Sequence, residues 1–258
     1  CLTTGKDGAI YAGTFRGGVF RSRDGGKSWQ PINKGLKRLE IKALMMDAKG
    51  LYAGTGDGVY LLNAAQDQWK VVSTGLDEIL VHALARTDDG TLYAGTSGKG
   101  VHSYKERSTG WTRLRQGLRD HEGLVENFIR VLAVDKEQGV YAGTFDGGVF
   151  RSGDAGKTWS PISRALPNDS IRGLISNERG VYVATGRGIF KTVDKGRQWV
   201  PLNKGLSNLS VQVLIEGEKG GFYAGTSSGV FRSDDDGLTW TAVSQGLEGE
   251  SVAPFKFN

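Results

Sequence analysis

Residues 141–159 read YAGTFDGGVFRSGDAGKTW, and segments related to them occur six times along the chain of 258 residues. Each segment ends at a tryptophan, and the tryptophans are separated by 40, 42, 48, 40 and 41 residues. Sequence similarity that recurs at a period of this length indicates an architecture built from repeated structural units. The six tryptophans are Trp29, Trp69, Trp111, Trp159, Trp199 and Trp240.

Every repeat has the pattern of four short β-strands. The strands are rich in β-branched and aromatic residues, and Gly, Asn, Asp and Ser separate them. Four antiparallel strands in a repeat of about 40 residues are typical of one blade of a β-propeller. A parallel solenoid with one strand per turn would have a shorter repeat. We therefore predict an all-β, six-bladed β-propeller of four-stranded antiparallel blades, in a single domain that spans residues 1–258.

The first blade begins almost at its second strand, and the end of the chain carries the missing pattern. Residues 252–255 resemble residues 41–44, which have the pattern of an innermost strand. We therefore predict that residues 250–258 join blade 1 and close the ring, which leaves residues 1–6 as an N-terminal tail. Residues 1–4 also fit half of that strand, so the two segments compete. The predicted blades comprise residues 7–36 with 250–258, 37–76, 77–118, 119–166, 167–206 and 207–249.

Four repeats carry the pattern Ser/Thr-x-Asp-x-Gly-x-x-Trp between their third and fourth strands, as in Ser152, Asp154, Gly156 and Trp159. This pattern resembles the Asp-box, or bacterial neuraminidase repeat, and the resemblance extends over essentially the whole chain. The carboxylate can accept backbone N–H groups across the turn, while glycine supplies the backbone angle and tryptophan packs on the blade. The predicted structural residues are Asp24, Trp29, Asp154, Trp159, Asp194, Trp199, Asp235 and Trp240.

The resemblance implies a fold without choosing an activity. Asp-box propellers include sialidases, xyloglucan hydrolases, sortilin-type receptors and the photosystem assembly factor Ycf48. A sialidase would carry an Arg-Ile-Pro segment and a nucleophilic tyrosine, but no Arg-Ile-Pro occurs and the tyrosines occupy repeat positions. The chain is most similar in character to the non-enzymatic Ycf48-like propellers, although these typically have seven blades. We therefore predict that the protein is not an enzyme and has no catalytic residue.

The alternative is a carbohydrate-active propeller, either a glycan-binding lectin or a glycoside hydrolase. Glycoside hydrolysis needs two carboxylates that flank the scissile bond. The chain has acidic residues on the loops of the predicted ligand face, but these loops are short, which favours solvated charges over a catalytic cleft. The acidic residues are Glu40, Asp57, Asp77, Glu78, Asp120, Glu122, Asp146 and Asp169.

Basic residues recur at one end of the predicted blades. The second residue of the innermost strand is basic or protonatable in four consecutive blades, and neighbouring loops add further cations. Arginines there could form paired hydrogen bonds with carboxylates, and a ring of cations would attract an acidic protein partner. The alternative is that this position is polar only because it faces water. The predicted partner-binding residues are Arg16, Lys42, His82, Lys99, Arg130, Arg172 and Arg187.

Composition and charge exclude several function classes. The net charge of +5 is too small to indicate nucleic-acid binding. One cysteine and three scattered histidines provide neither a disulfide framework nor a zinc site, so we predict no metal and no cofactor. His102 occupies an aromatic position of its repeat, which indicates a packed core histidine.

Cys1 suggests where in the cell the domain is found and how it is attached there. A chain that starts at its one cysteine resembles a processed bacterial lipoprotein, in which acyl chains on that thiol anchor the domain. The alternative is that the numbering simply starts where a fragment starts. We expect a lipid-anchored, extracytoplasmic protein of the bacterial cell envelope, periplasmic or on the outer face of the cytoplasmic membrane. Its expected role is that of an accessory subunit or assembly factor of a membrane-associated complex.

Overall fold

The Tyr-Ala-Gly-Thr-like segments form the second strand of each sheet in the computed structural model. The structure describes residues 1–5, 7–63, 65, 67–72, 74–114, 116–118, 128–167, 170–217 and 220–245. In the second blade this strand, Leu51–Thr55, is buried along its entire length. A strand that is covered on both faces accounts for the run of apolar and small residues without polar alternation.

In the part of the chain that the structure describes, twenty-four strands form six four-stranded antiparallel sheets. The chain is an all-β, six-bladed β-propeller, which confirms the fold class that the repeat predicts. No α-helix occurs in the described ranges. Within each sheet the strands follow one another in chain order, from the first strand to the fourth.

Unit 1 is a compact body that comprises residues 1–114 and 128–129 and contains the first three sheets. The first strands of these sheets contact one another, so they are the innermost strands. The strands of unit 1 are β1 (Leu2–Thr4), β2 (Ile10–Gly13), β3 (Val19–Ser22), β4 (Gln30–Pro31), β5 (Ile41–Met46), β6 (Leu51–Thr55), β7 (Gly58–Asn63), β8 (Gln68–Val71), β9 (Val81–Arg86), β10 (Leu92–Thr96), β11 (Gly100–Tyr104) and β12 (Thr112–Leu114).

Unit 2 is a second compact body and contains the last three sheets, except for Ile129 at the start of the fourth sheet. The first strands of its last two sheets are again in contact, and the first strand of its middle sheet also contacts the second strand of the sheet before it. The strands of unit 2 are β13 (Ile129–Val134), β14 (Val140–Thr144), β15 (Val149–Ser152), β16 (Ser160–Pro161), β17 (Ile171–Asn177), β18 (Gly180–Thr185), β19 (Gly188–Thr192), β20 (Val200–Pro201), β21 (Val211–Glu216), β22 (Phe222–Thr226), β23 (Gly229–Ser233) and β24 (Thr241–Ala242).

The N-terminal segment supplies the first strand of the first sheet. Leu2 and Thr3 lie opposite Ala12 and Tyr11 in an antiparallel ladder, and the N–H of Gly13 donates to the carbonyl of Cys1 at 2.8 Å. The prediction that residues 1–6 form a tail is therefore wrong for residues 2–4, because their backbone groups are paired with β2. Residues 250–258, which we predicted for this position, lie outside the described residues.

Tryptophans connect neighbouring sheets within each unit. The backbone N–H of Trp69 donates to the carbonyl of Lys34 at 2.8 Å, and its indole Nε1 donates to the carbonyl of Ile32 at 2.5 Å. The adjacent Gly35 has a φ of +97°, and a Cβ there would lie 2.2 Å from the carbonyl oxygen of Trp69. Only glycine can occupy such a position without moving the backbone of one of the two sheets.

The same contact recurs in unit 2. The N–H of Trp240 donates to the carbonyl of Lys204 at 2.9 Å, and a Cβ on Gly205 would lie 2.2 Å from the carbonyl oxygen of Trp240. Because this tryptophan is only 4% exposed, the contact also contributes apolar area to the core between the sheets.

We expect Gly35→Ala to lower the free energy of unfolding by roughly 2 kcal/mol or more, because the methyl group adds a backbone clash to the strain of a left-handed residue. Gly8→Ala is the matched control, since Gly8 has a φ of +77° and no atom within 4 Å of the added Cβ. Denaturant unfolding measures both variants. Equal losses in the two would show that the contact with Trp69 contributes nothing beyond backbone strain.

His102 is a buried side chain of β11, 5% exposed. Burial lowers the pKa of His102 to about 4, and the charge of Arg113 acts in the same direction. The imidazole is therefore neutral near pH 7. This burial agrees with the packed core histidine that the sequence predicts.

Protonation of His102 should destabilise the fold. Because its folded-state pKa of about 4 is below the ordinary value of 6.5, the unfolded chain binds the proton more readily. Above pH 6.5 His102 should not reduce the stability of the fold. As the pH falls from 6.5 towards 4, the free energy of unfolding should decrease by at most about 3 kcal/mol because of this residue. His102→Phe should remove this part of the pH dependence in denaturant unfolding at pH 7 and 4.5. The idea fails if the variant and the wild type lose the same stability.

Candidate functional site

The Asp-box turns use their carboxylates within the turn. Asp24 Oδ1 accepts the N–H of Ser28 at 3.0 Å, and Oδ2 accepts the Ser28 hydroxyl at 2.6 Å. The hydroxyl of Ser22 donates to Asp24 at 2.8 Å and accepts the N–H of Gly26 at 2.9 Å. These hydrogen bonds lower the pKa of Asp24 to about 2, and the bond from the Ser28 hydroxyl has the largest effect. Both carboxylate oxygens are therefore occupied by neighbouring donors.

The other three boxes repeat this arrangement. Asp154 and Asp235 accept the N–H and hydroxyl of Thr158 and Thr239, and each has a pKa near 2 for that reason. Asp194 accepts the N–H of Gln198 at 2.9 Å, which lowers its pKa. Trp159, Trp199 and Trp240 are buried, whereas Trp29 is 41% exposed.

A β-bulge marks the second residue of the innermost strand in four sheets. The register shifts between Ile41 and Ala43 of β5, so that Lys42 has no partner residue on β6. A bulge bends the strand and re-aims the extra side chain. The same irregularity lies at the second residue of three further innermost strands, which are His82 of β9, Arg172 of β17 and Gln212 of β21.

In unit 1 the structure brings two of the predicted basic residues together around Phe15. Lys42 Nζ lies 4.5 Å from the centre of the Phe15 ring, and the guanidinium of Arg16 lies 5.7 Å from it. Lys42 also forms an ion pair with Glu40 at 3.3 Å, so its charge is already compensated. His82 is half-buried, and Lys99 is exposed.

In unit 2 Arg130 and Arg172 occupy the second positions of β13 and β17. Burial lowers the pKa of Arg130, and the charge of Arg172 lowers it further. Arg172 Nη1 donates to Ser210 Oγ at 3.1 Å and to the carbonyl of Val211 at 3.3 Å. Arg130 Nη1 and Arg172 Nε are buried and have no acceptor among the described residues.

The remaining predicted basic residue, Arg187, is exposed. Its backbone N–H, not its guanidinium, donates to Thr185 Oγ1 at 3.0 Å. Gln212 is 9% exposed, and its Nε2 donates to Ser210 Oγ at 3.0 Å and Ser227 Oγ at 3.2 Å. Unlike its basic counterparts, this side chain is neutral, and its amide nitrogen is engaged in hydrogen bonds.

Several acidic candidates for a hydrolytic pair have structural partners instead. Asp57 accepts the N–H of Glu78 at 3.1 Å and the hydroxyl of Tyr60 at 3.0 Å. Burial acts to raise the pKa of Asp57, but these hydrogen bonds prevail and lower it. Asp77 accepts the N–H of Gly75 at 3.2 Å. Asp146 is exposed, and Asp120, Glu122 and Asp169 lie outside the described residues.

A cleft of about 710 Å³ lies at the other end of the innermost strand from Lys42, within unit 1. Arg86, which lines the cleft, is ion-paired with Asp47, and Lys49 contacts Glu106 at 2.5 Å. These four charges are therefore paired, and the cleft contains none of the predicted basic residues. Its apolar lining comprises Met46, Leu51, Leu61, Leu62, Val71, Val72 and Leu92.

The described part of the chain contains no group of three or more His, Cys, Asp and Glu side chains that could hold a metal ion. Nor does it contain a helix of the length and apolarity needed to span a membrane. Cys1 is exposed and forms no disulfide. Its thiol and its N-terminal ammonium group both donate to the carbonyl of Gly13, at 3.9 and 3.1 Å.

Fold and turns together define a β-propeller whose blades carry Asp-box turns. Residues 20–31 match the family model described as the BNR/Asp-box repeat. A search of curated protein sequences finds no match to the chain.

Solved structures with the same fold differ in what they do. An extracellular domain assigned to the hybrid two-component system BT4673 of B. thetaiotaomicron has 23% identity and a TM-score of 0.75, over 95% of this chain and 32% of that one. An ancestral GH74 enzyme has 15% identity and a TM-score of 0.70, over 91% of this chain and 37% of that one. YCF48 bound to D1 peptide has 15% identity and a TM-score of 0.62, over 86% of this chain and 72% of that one.

This chain spans about a third of the length of the B. thetaiotaomicron chain. At these identities the similarity establishes the fold. The function therefore has to be argued from the side chains.

Proposed function

We propose that the chain is a non-enzymatic, protein-binding propeller that docks an acidic surface of its partner through the basic residues at one end of its strands. The observation that carries this proposal is the pair Arg130 and Arg172, for which no carboxylate partner exists among the described residues. Acidic side chains of a partner would supply the missing acceptors. The proposed basic face comprises Arg16, Lys42, His82, Lys99, Arg130, Arg172 and Arg187.

The physical basis is positive charge on a rigid scaffold, and at Arg130 and Arg172 no described side chain compensates this charge. Lys42, His82 and Arg172 stand on bulges of innermost strands, so packed sheets, not mobile loops, fix their positions. Cations held in this way attract an acidic partner at long range and fix its orientation at contact. Arginine adds geometric selectivity because its planar guanidinium can donate two parallel hydrogen bonds to one carboxylate.

Two further observations support binding over catalysis. Asp57 and Glu40 form hydrogen bonds or ion pairs that serve the fold or neutralise Lys42, which leaves them unsuited to act as a hydrolytic pair. One structure of similar fold, YCF48, is described as bound to D1 peptide, so a propeller of this kind accommodates a peptide. The carbohydrate-active alternative is therefore the weaker candidate.

The proposed location is the bacterial cell envelope, outside the cytoplasm, with the domain anchored by lipid on Cys1. Cys1 is exposed and forms no disulfide, as an acylated cysteine requires, and a similar structure is an extracellular domain. In this setting the protein would act as an accessory subunit or assembly factor of a membrane-associated complex.

The proposal is tested by affinity purification from native membranes. Lys42, Arg130 and Arg172 are changed together to Glu, and the control carries the same charge reversal at Lys27, Lys157 and Arg197, which are exposed on Asp-box turns. We expect wild type and control to retain a stoichiometric partner that the first variant loses, because its charges would repel acidic side chains. Circular dichroism checks that all three proteins are folded.

Two results would contradict the proposal. If wild type is recovered without any partner, the protein-binding role fails, and a glycan array becomes the next experiment. If all three proteins retain the same partner, binding does not depend on the basic face.

A further inference from the structure

The geometry points to a carboxylate-binding subsite formed by Arg130 and Arg172 in unit 2, which takes the side chain of a Glu or Asp in an acidic peptide. This inference rests on the proposed function, because it names the chemical group that this part of the basic face receives. The two arginines occupy the same position, the second residue, on the innermost strands β13 and β17.

One nitrogen of the Arg172 guanidinium is held by hydrogen bonds, and another lacks an acceptor. Its Nη1 donates to Ser210 Oγ and to the carbonyl of Val211, at 3.1 and 3.3 Å. Its Nε is buried and has no acceptor among the described residues. The Nη2 atom lies 3.2 Å from the place that a Cβ on Gly186 would occupy, so the absence of a side chain on Gly186 leaves space beside this edge of the guanidinium.

Arg130 also has a hydrogen-bond donor without an acceptor. Its Nη1 is buried and lacks an acceptor in the described part of the chain. The carbon at the centre of its guanidinium lies 5.6 Å from the centre of the Phe145 ring, and Phe145 is 47% exposed. This ring gives the subsite an apolar wall, against which the methylene groups of a Glu or Asp side chain could pack.

The electrostatics favour an anion between the two groups. Burial and the charge of Arg172 both lower the pKa of Arg130, which means that two cations repel each other where solvent screens them little. A buried charge is costly unless it is paired and hydrogen-bonded. One carboxylate would reduce the repulsion and accept hydrogen bonds from both guanidinium groups, once small side-chain shifts expose the buried donors.

The donors also define the chemistry of the ligand. A guanidinium group donates hydrogen bonds and accepts none, so the ligand must be an acceptor with negative charge. A carboxylate matches the planar fork of arginine. It can come from a peptide side chain or from a free dicarboxylate.

The test is an NMR titration that follows the Arg Nε–Hε signals of the whole chain. The ligands are a capped peptide of Glu and Gly residues, its Gln counterpart, and succinate. We expect the Glu peptide to shift the Arg172 and Arg130 signals saturably and the Gln peptide to leave them unchanged. Arg130→Gln and Arg172→Gln should each weaken binding about tenfold, whereas Arg197→Gln, a control exposed on an Asp-box turn, should change it less than about threefold.

Conservative variants separate charge from geometry. Arg130→Lys and Arg172→Lys keep the positive charge but lose the planar fork, so we expect affinity between those of the wild type and the Gln variants. If a Gln variant does not fold, the wild-type signals still decide the question. Shifts with the Glu peptide but not with succinate support a peptide carboxylate, and equal affinity supports the subsite with a free dicarboxylate as its source.

The inference is overturned if neither the Glu peptide nor succinate shifts the two arginine signals of the wild type. Capture of an acidic partner could still succeed in that case, and the proposed function would stand without this subsite. Conversely, carboxylate binding by a protein that recovers no partner would support the subsite and contradict the proposed function.

Discussion

The fold depends on a contact in which a tryptophan of one sheet rests on a glycine that follows the preceding sheet. At Trp69 and Trp240 the backbone N–H groups bond to Lys34 and Lys204, and the glycines that follow those lysines leave no room for a Cβ. An antiparallel sheet of four short strands cannot bury its two faces alone. The tryptophan contact provides both hydrogen bonds and apolar area between sheets, so each sheet is stabilised by its neighbour.

Stable sheets in turn hold the functional side chains in fixed positions. The bulges at Lys42, His82 and Arg172 sit on innermost strands whose backbones are paired on both sides of the irregularity. The bulge therefore bends the strand and turns the side chain of the extra residue in a different direction from those of its neighbours. Arg172, at this position in unit 2, carries charge without a described counter-ion, whereas Lys42 in unit 1 is paired with Glu40.

The repeat made the fold class predictable, because six tryptophans in register and the Tyr-Ala-Gly-Thr-like segments identify blades without any long-range information. The Asp-box turns were equally predictable from the sequence, since Asp24 and Asp154 form hydrogen bonds with residues of their own turns. The place of residues 1–4 was not, because residues 1–4 and 250–258 both fit the pattern of the first strand, and the pairing of residues 2–4 with β2 is visible only in the structure. Sequence spacing identified Arg130 and Arg172 as equivalent, but it could not show the bulge at Arg172, the donors without acceptors, or the hydrogen bonds that engage Asp57.

The central claim is that binding takes place at the end of the innermost strands that carries the basic residues. Hydrogen–deuterium exchange of the propeller, with and without its captured partner, tests this claim directly. The account predicts slower exchange on binding at residues 41–43, 81–83, 129–131 and 171–173. Protection confined to the turn around Asp47 and Lys49, at the opposite end of these strands and beside the cleft of unit 1, would contradict it.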